Sequence, residues 1–593
     1  MDKKVILLVV ALGILVIFWI PIMTKLGFIK PAERPAPTEQ VRQEQQQPPP
    51  QPQAEQPAQV TQQQAAAQPT EIGEPTSLDT LPQVLEDKIL IETNVFEVAL
   101  SNYGGAPVPI KLKVYEYNDN GLIEMLPDNQ IATPELKFNG GTVNANRFVY
   151  SSSLSRGRHP ISSGSIQLTY TYQNEAGAQI VKRYRFYADR YDYDLILEVS
   201  DPTSFGFERK YALEWNNKLG PTELNLQDDY NSMWAMALQV GERVKFDKYQ
   251  DDRFSRTDDG TTNWIATRSK YFASIMVPRS RTSIGARSSG VKNRIAVGDE
   301  SVQTRELAIG LLMEPPYNEP MADSFSVYVG PMDYEKLKAF NESVVDLIDI
   351  GTTPFVGWII KIFAIPIIWL LPRMYSIIPN YGFVIILFSL IIKLITWPLS
   401  KKTVKSMSAM KALQPKMQEL KEKHKNNPQA LNREMMKLYK EAGINPMSGC
   451  LPYLPQLPLF FALFAVFRST ILLRQAPFIL WWDDLSRGAL SMTDPYILLV
   501  ILMVVLMFVQ QKMTMTDPKN KALIYIFPLM LGFFFYKASA GLVLYWTCFS
   551  LFSFVEQIVF KRSQPAPAEG EAEPVKARKK LTYEKKKSGG SKP

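Results

Sequence analysis

One lysine stands inside a long apolar segment, where a charged side chain is costly. Lys393 lies within the apolar run 381–399, ~18 Å from one end of a helix of that length and ~9 Å from the other. A lysine at the centre of a membrane helix costs roughly 2.5–3.5 kcal/mol. The residues on the same helical face, at i−4, i+3 and i+7, are all polar: Ser389, Thr396 and Ser400. This polar stripe predicts a helix face that meets protein or water rather than lipid.

Two interpretations of Lys393 follow from its surroundings. In the first, its ammonium extends to the cytoplasmic surface or pairs with Glu556, the only carboxylate in the last apolar segment, and is purely structural. In the second, it supplies a positive charge to a water-filled cavity, lined also by polar groups such as Gln511. The second is favoured, because ionisable residues within membrane segments usually mark functional sites.

Side chains for metal binding or nucleophilic catalysis are scarce, with two cysteines and two histidines in the whole chain. Cys450 and Cys548 fall at or within apolar segments, which predicts small buried side chains rather than a disulfide or a zinc site. His159 and His424 have no cysteine or carboxylate at ligand spacing. The sequence therefore predicts no metal or other cofactor.

The first 23 residues predict a membrane anchor. Lys3 and Lys4 precede an apolar run, 5–20. A cleaved signal peptide is the alternative, but no small-residue cleavage site follows the run, so an uncleaved anchor with cytoplasmic lysines is favoured. Residues 24–87 are rich in Pro, Gln, Ala and Glu. They cannot bury enough apolar surface to offset the entropy lost on ordering, which predicts a disordered linker.

Residues 88–350 are predicted to form an antiparallel β-sandwich. Apolar and polar residues alternate in several runs, such as 166–172, 191–199 and 325–329. Period-two alternation is typical of strands with one buried face and one wet face. A helical stretch at 336–350 would then lead back to the membrane.

Five more apolar segments predict membrane spans, which with the anchor make six: 381–399, 451–472, 496–511, 522–536 and 541–560. The segment 351–380 is apolar but contains Lys361 and Pro366. If it crossed the membrane, the loop 400–445, with eleven Lys or Arg against four Glu, would face outward, contrary to the positive-inside rule. We therefore expect an amphipathic helix along the outer interface.

Charge gives the rest of the predicted topology. The formal net charge of +8 divides into about −11 for residues 24–354 and about +18 for residues 355–593. With six spans, both termini are cytoplasmic and the acidic β-domain lies outside. The predicted order is an anchor (1–23), a linker (24–87), a β-sandwich domain (88–350), an interfacial helix (351–380), a helical core (381–562) and a cytoplasmic tail (563–593).

Two basic cytoplasmic segments could contact partners. The loop 400–445 has apolar residues at three- and four-residue spacing, which predicts a helical hairpin that kinks or restarts at Pro415. Its apolar stripe could pack within the hairpin, and its methionines would also suit an adaptable contact surface. The tail 563–593 could bind ribosomal RNA or anionic membrane lipids, although positive-inside topology alone would account for its charge.

The helical half carries a set of short motifs: Thr396-Trp397-Pro398-Leu399-Ser400-Lys401, Leu413-Gln414-Pro415-Lys416-Met417, Met435-Met436-Lys437-Leu438-Tyr439-Lys440, Ile444-Asn445-Pro446, Gly449-Cys450-Leu451-Pro452, Gln456-Leu457-Pro458, Leu473-Arg474-Gln475-Ala476-Pro477-Phe478 and Gly541-Leu542-Val543-Leu544-Tyr545-Trp546. Together they resemble the YidC/Oxa family of membrane protein insertases, in its Gram-negative form, over nearly all of residues 380–562. In the outer domain the resemblance rests on position, β-character and Tyr328-Val329-Gly330-Pro331.

The resemblance implies a non-enzymatic insertase of the bacterial inner membrane, with a five-helix core and a hydrophilic groove open to cytoplasm and lipid. One positive charge in the groove receives the polar, often acidic, segment of a nascent membrane protein. That position is Lys393 here, where many relatives have arginine, and the polar stripe residues Ser389 and Thr396 would line the groove with Gln511 and Trp546. Glu556 stands where relatives are expected to be uncharged; if it neutralised Lys393, simple attraction would not explain capture.

The resemblance also implies partners, namely the Sec translocon and the ribosome or signal recognition machinery. The rival functions are a transporter or channel for small anions, and a membrane-bound enzyme. The first predicts inverted repeats, and the sequence has no internal repeat. The second is disfavoured because the spans lack His, paired Asp or an activated nucleophile.

Overall fold

The structure, a computed structural model, describes residues 86–117, 121–126, 132–217, 222–248, 250, 252–297, 300–317, 319–350, 357–425, 427–443, 453–514 and 521–563. The predicted anchor, the linker up to residue 85, Cys450 and the tail from residue 564 lie outside the described residues.

The β-domain contributes two sheets. Its strands are β1 Lys88–Glu92, β2 Phe96–Ser101, β3 Ala106–Glu116, β4 Leu122–Leu126, β5 Glu135–Phe138, β6 Val143–Asn144, β7 Ser151–Ser152, β8 Gly157–Pro160, β9 Ser165–Gln173, β10 Gln179–Tyr187, β11 Asp192–Val199, β12 Tyr211–Asn217, β13 Trp234–Gln239, β14 Glu242–Phe246, β15 Arg253–Arg268, β16 Phe272–Pro278, β17 Ser283–Val297, β18 Glu300–Met313 and β19 Met321–Pro331. One sheet has the order β4-β3-β2-β1-β8. The other runs β6-β5-β12-β18-β17-β15-β16-β19-β11-β10-β9-β7, and β13 and β14 join it at β15.

One hydrophobic core lies between the two sheets. Alternate residues of β9, β10 and β11 are buried, as the period-two pattern predicted. The hydroxyls of Tyr170 and Tyr184 donate across the core to the backbone oxygens of Leu100 and Gly105, at 3.2 and 2.8 Å. The predicted antiparallel β-domain is therefore confirmed, with one exception: β1 and β8 pair in parallel.

The α-helices follow the last strand in the chain, except for one short helix, α1, which lies among the strands of the β-domain. They are α1 Leu226–Ser232, α2 Tyr334–Phe340, α3 Gly357–Tyr375, α4 Tyr381–Ala412, α5 Gln414–Lys423, α6 Pro428–Glu441, α7 Tyr453–Ser469, α8 Ile497–Thr514, α9 Lys521–Phe535 and α10 Ala540–Ser563. A 3₁₀ helix, Glu342–Ile348, connects α2 to the helices that follow it. In the bundle, α10 packs against α4 and α8, α8 against α9, and α3 against α7.

Each of the five apolar segments predicted after residue 380 contains a helix, namely α4, α7, α8, α9 and α10. The first, α4, continues without a break into the first part of the predicted helical hairpin. Residues 400–412 continue α4 beyond the apolar run because they are mostly good helix formers such as Lys, Met and Ala. The predicted restart is present, since Pro415 lies in the first turn of α5, where a missing N–H is tolerated. Asn427 caps α6 by accepting from the Ala430 N–H at 3.0 Å.

Helix α3 occupies the segment predicted to lie along the outer interface. By length and composition alone it could cross a membrane, as could Tyr381–Lys401 and Ala540–Phe560 among the described helices. Two observations favour the interface. Lys361 bonds to Asp346, at the end of the β-domain, with a 2.9 Å ion pair, and the side chains of Trp358 and Trp369 are exposed.

A buried set of ion pairs joins the β-domain to the loop that follows α7. The Arg474 guanidinium donates to Glu223 at 2.7 Å, and to the backbone oxygens of Glu116 and Thr222 at 2.7 and 3.1 Å. Its side chain is 3% exposed and that of Glu223 is 8% exposed. Burial raises the pKa of Glu223 to about 7, although Arg474 opposes this shift.

At the same junction, the pKa of Asp228 is lowered rather than raised. Asp228 bonds to Arg468 of α7 at 2.8 Å and to Lys270 at 3.1 Å. Burial alone would raise its pKa, but the two cations outweigh burial and hold the pKa at about 2. The β-domain is therefore attached to the helical part through specific, largely buried charges.

Candidate functional site: a buried lysine between two apolar helices

Lys393 lies where α4 packs against α10, with 8% of its surface exposed. Ser389, one turn earlier on the same face, is fully buried, and Thr396, one turn later, is half-buried. By contrast Leu394, Ile395 and Trp397 point away from the bundle and are exposed. The polar stripe of α4 therefore faces protein, as predicted, and the apolar faces are left for lipid.

The ammonium of Lys393 has three described partners, all on α10. It forms a 2.6 Å ion pair with Glu556 Oε2 and donates to the hydroxyl of Ser553 at 2.8 Å. It also lies 5.1 Å from the centre of the Phe549 ring, within cation–π range. The structure thus places Glu556 as the counter-ion that the first interpretation of Lys393 required, and the charge of the site is balanced rather than free.

The described hydrogen bonds use only part of the hydrogen-bonding capacity of Lys393 and Glu556. Glu556 Oε1 is buried and has no hydrogen-bond partner in the described part of the chain. An ammonium has three hydrogens, and the described bonds account for two of those of Lys393. A buried polar group without a partner costs free energy. One ammonium hydrogen of Lys393 and Oε1 of Glu556 therefore have no hydrogen bond within the described part of the chain.

The serine and threonine hydroxyls of α4 bond back to their own helix. Ser389 donates to the Ile386 carbonyl at 2.7 Å, and Thr396 to the Ile392 carbonyl at 2.9 Å. Such bonds satisfy a hydroxyl inside an apolar bundle, yet each oxygen keeps a lone pair for a passing donor. These two side chains extend the polar stripe above and below Lys393.

The other two predicted site residues lie farther from the ammonium. Trp546, also on α10, packs against Phe460 and Phe535 at ring distances of 5.2 and 6.0 Å. Gln511 is half-buried in the last turn of α8, the helix that packs on the other side of α10. Neither is among the described partners of Lys393. The sequence-based set therefore contains one contact of the ammonium, Glu556, and misses two.

The missed residues are Ser553 and Phe549. A signal was present, since residues 546, 549, 553 and 556 follow at spacings of three and four and share one face of α10.

The basic hairpin, α5 and α6, is held together loosely. The Tyr439 hydroxyl contacts the Met417 sulfur at 3.7 Å, which joins the two helices. No residue of α5 or α6 is fully buried, and Met436 is 45% exposed. The apolar stripe is only half covered by self-packing, which leaves surface for a contact with another molecule.

A large antiparallel β-domain, followed by a bundle of apolar helices with a buried cation and a basic hairpin, defines a polytopic helical membrane protein with an extramembranous domain. Residues 373–567 match the family described as 60Kd inner membrane protein, and residues 88–370 match the YidC periplasmic domain. The membrane protein insertase YidC of Prosthecochloris aestuarii is 33% identical over 88% of this chain and 91% of its own length. That of Chlorobaculum tepidum is 34% identical over 80% of this chain and 81% of its own length. The chain belongs to the YidC family of membrane protein insertases.

The chain is also similar to a solved structure described as an active YidC insertase with the first transmembrane domain resolved. It is 18% identical, with a TM-score of 0.35, and the match covers 81% of this chain and 94% of that one. Family membership rests on the sequence relatives and the two family matches. The protein is thus a multi-pass, non-enzymatic membrane protein insertase, and its β-domain is the periplasmic domain.

Proposed function

We propose that the protein inserts membrane proteins by receiving their polar segments in a pocket centred on Lys393. The observation that carries the proposal is a lysine, 8% exposed, on the polar stripe of an otherwise apolar helix. A cation at this depth is costly, and a structural role alone would be served equally well by a pair of apolar side chains. A site that must accept polar groups inside the membrane accounts for that cost.

The pocket would act by lowering the desolvation barrier of the incoming segment. A polar segment that leaves water loses its hydrogen bonds, and each lost bond is costly in hydrocarbon. Lys393, Ser389 and Thr396 offer replacement partners along one helix face, and Gln511 and Trp546 extend the surface on neighbouring helices. Apolar segments partition into lipid along the exposed apolar faces of α4, so no nucleotide or other energy source is needed.

Lysine gives this pocket a compact point charge rather than the planar, bidentate guanidinium of an arginine. An arginine would hold a carboxylate through two parallel N–H bonds in a fixed plane, whereas an ammonium binds without that directionality. Capture by Lys393 would therefore be tolerant of the orientation of the substrate carboxylate, which suits an extended segment in transit.

The topology that we propose has six spans, both termini in the cytoplasm and α3 on the periplasmic interface. The family match for the periplasmic domain extends to residue 370, which includes most of α3. The Lys361–Asp346 ion pair attaches α3 to that domain. This arrangement keeps the strongly basic hairpin 400–445 in the cytoplasm, in agreement with the positive-inside rule.

The proposed partners follow from charge, from exposure and, for the Sec translocon, from the family resemblance. Nascent membrane proteins are the substrates. The hairpin, with its half-covered apolar stripe, and the basic segment 563–593 would contact the ribosome or the signal recognition machinery, and the latter segment also anionic membrane lipids. The Sec translocon is the proposed membrane partner. Loss of ribosome co-sedimentation on removal of residues 563–593 would support the contact between this segment and the ribosome.

The test of the pocket uses proteoliposomes that contain the full chain and a single-span substrate with a short acidic periplasmic tail. We expect Lys393→Ala and Lys393→Glu to reduce protease protection of the tail severalfold, and Lys393→Arg to retain most of it, because arginine keeps the charge. Lys361→Ala, which removes a cation outside the pocket, is the matched control. Insertion at the wild-type level by all four variants would overturn the proposal.

A further inference from the structure

The Lys393 site contains a negative charge that simple attraction of acidic substrates does not require. Glu556 is the only carboxylate described in α10, and Oε2 of that carboxylate lies 2.6 Å from the Lys393 ammonium. With both side chains about nine-tenths buried, the pair is neutral as a unit. An acidic segment that approaches it meets no net positive charge.

We propose that Glu556 is a resident counter-ion that the carboxylate of an acidic substrate segment replaces on Lys393, so that it determines which polar segments the pocket holds. The inference rests on the proposed function of Lys393. Glu556 Oε2 occupies the position on the ammonium that a substrate carboxylate would take, and the two compete for the same N–H groups.

The partial satisfaction of the pair makes the exchange feasible. The ammonium keeps its bond to Ser553 and its contact with the Phe549 ring when Glu556 leaves. The third hydrogen of the ammonium can bond the incoming carboxylate before the old bond breaks. The cation is therefore never stripped of partners during the replacement, which would otherwise be the costly step.

Once displaced from Lys393, the Glu556 side chain can turn toward the cytoplasmic end of the bundle. The Lys401 ammonium of α4 lies 6.0 Å from the Phe560 ring of α10. Glu556 is four residues before Phe560, whereas Lys393 is eight residues before Lys401, so the backbone of Glu556 is closer to the cytoplasmic end. The cations beyond it, such as Lys401 of α4, belong to the same end of the bundle. A displaced Glu556 carboxylate can thus turn toward the cytoplasmic end, where Lys401 offers a cation.

The consequence is a threshold for binding. A neutral polar segment offers the ammonium a weaker hydrogen bond than the carboxylate it would replace, since charge-assisted bonds are roughly twice as strong as neutral ones. An acidic segment offers an equal bond and exchanges freely. Glu556 would therefore reject segments that lack an acidic residue and shorten the stay of those that have one.

The experiment compares two substrates that differ only by Asp or Asn in the tail, each with a photoactivatable residue beside that position. Crosslinking to the full-length insertase in proteoliposomes is measured for wild type, Glu556→Gln and the matched control Glu242→Gln, an exposed glutamate of β14. Removing the competitor leaves Lys393 with one net charge. We expect crosslinking of the Asp substrate to rise by about tenfold in Glu556→Gln. The Asn substrate, which wild type rejects, should then crosslink as well, so that the ratio of Asp to Asn crosslinking falls, while Glu242→Gln matches wild type.

Other outcomes separate the two proposals. If Glu556 is only structural, Glu556→Gln lowers or leaves unchanged the crosslinking of both substrates in the same proportion, which overturns the exchange while leaving the pocket intact. If Lys393→Ala inserts and crosslinks like wild type, the pocket itself is wrong. The double variant Lys393→Met/Glu556→Met guards against misfolding, because a buried ion pair replaced by apolar groups of similar size is usually tolerated. It should assemble normally and show no preference between Asp and Asn, and a retained preference would overturn both proposals.

Discussion

Replacing Arg474 by alanine tests whether a buried ion pair fixes the periplasmic domain to the membrane part. Arg474 donates to Glu223 at 2.7 Å and to the backbone oxygens of Glu116 and Thr222. Above the pKa of Glu223, at about pH 8, the variant would leave the Glu223 carboxylate buried without its counter-ion and two carbonyl oxygens without this donor. Breaking a buried pair by removing one partner costs about 3–5 kcal/mol. We expect the junction to be destabilised by that amount.

Hydrogen exchange measured by mass spectrometry is the suitable assay, because it reports local opening rather than global unfolding. Peptides that cover residues 222–232 and 470–475 should exchange at least about a hundredfold faster in Arg474→Ala, the factor that corresponds to the lower end of this range. Peptides from β9 and β10, far from the junction, should be unchanged. Arg256→Ala, which removes an exposed pair with Asp258, is the control and should change exchange by less than about fivefold. If Arg474→Ala behaves like this control, the junction is not held by buried charge and the reasoning is refuted.

Two further predictions concern the same region and the outer end of α4. Burial raises the pKa of Glu223 from 4.5 to about 7, so the folded protein binds that proton more tightly than the unfolded chain and the junction loses stability as pH rises between these values. The loss is about 3 kcal/mol in full. The protection of residues 222–232, which is the intrinsic exchange rate at each pH divided by the observed rate, should therefore fall with rising pH in wild type and stay constant in Glu223→Gln; a fall equal to wild type would contradict the assignment. Gly382→Ala would place a methyl group on the ring of Phe478, which should lower the thermal unfolding midpoint. Phe478→Ala in the same chain should restore part of the loss, and additive effects of the two changes would show that the contact is absent.

Much of the fold could be predicted because it depends on local pattern. Period-two alternation located strands such as β9 and β11, and apolar runs located every helix of the bundle, since both signals lie within ten to twenty consecutive residues. The apolar segment and the first helix of the hairpin were predicted separately, whereas α4 is continuous through both, because hydropathy marks where a helix leaves the membrane and not where it stops. Residues 400–412 are polar and still helical.

The contacts that join distant parts of the chain could not be predicted in the same way. Arg474 and Glu223 are 251 residues apart, and no local pattern selects one carboxylate among the many of an acidic domain. The pairing of Lys393 with Glu556, by contrast, could be predicted from the sequence. A membrane segment offers few partners to a buried cation, and the last span contains only one acid. Ser553 and Phe549 are neutral, so their part in the site depends on how α10 is rotated against α4, which packing decides.

The most direct measurement for the central claim is the accessibility of the polar stripe beside Lys393 to water and substrate. In a chain with Thr396→Cys, Cys450→Ser and Cys548→Ala, which keeps Lys393, a membrane-impermeant thiol reagent should label position 396 from the cytoplasmic side. A ribosome-bound acidic substrate should slow that labelling several-fold. Absence of labelling in a folded, membrane-inserted protein, or labelling that substrate leaves unchanged, would contradict a polar pocket at Lys393 as the route of insertion.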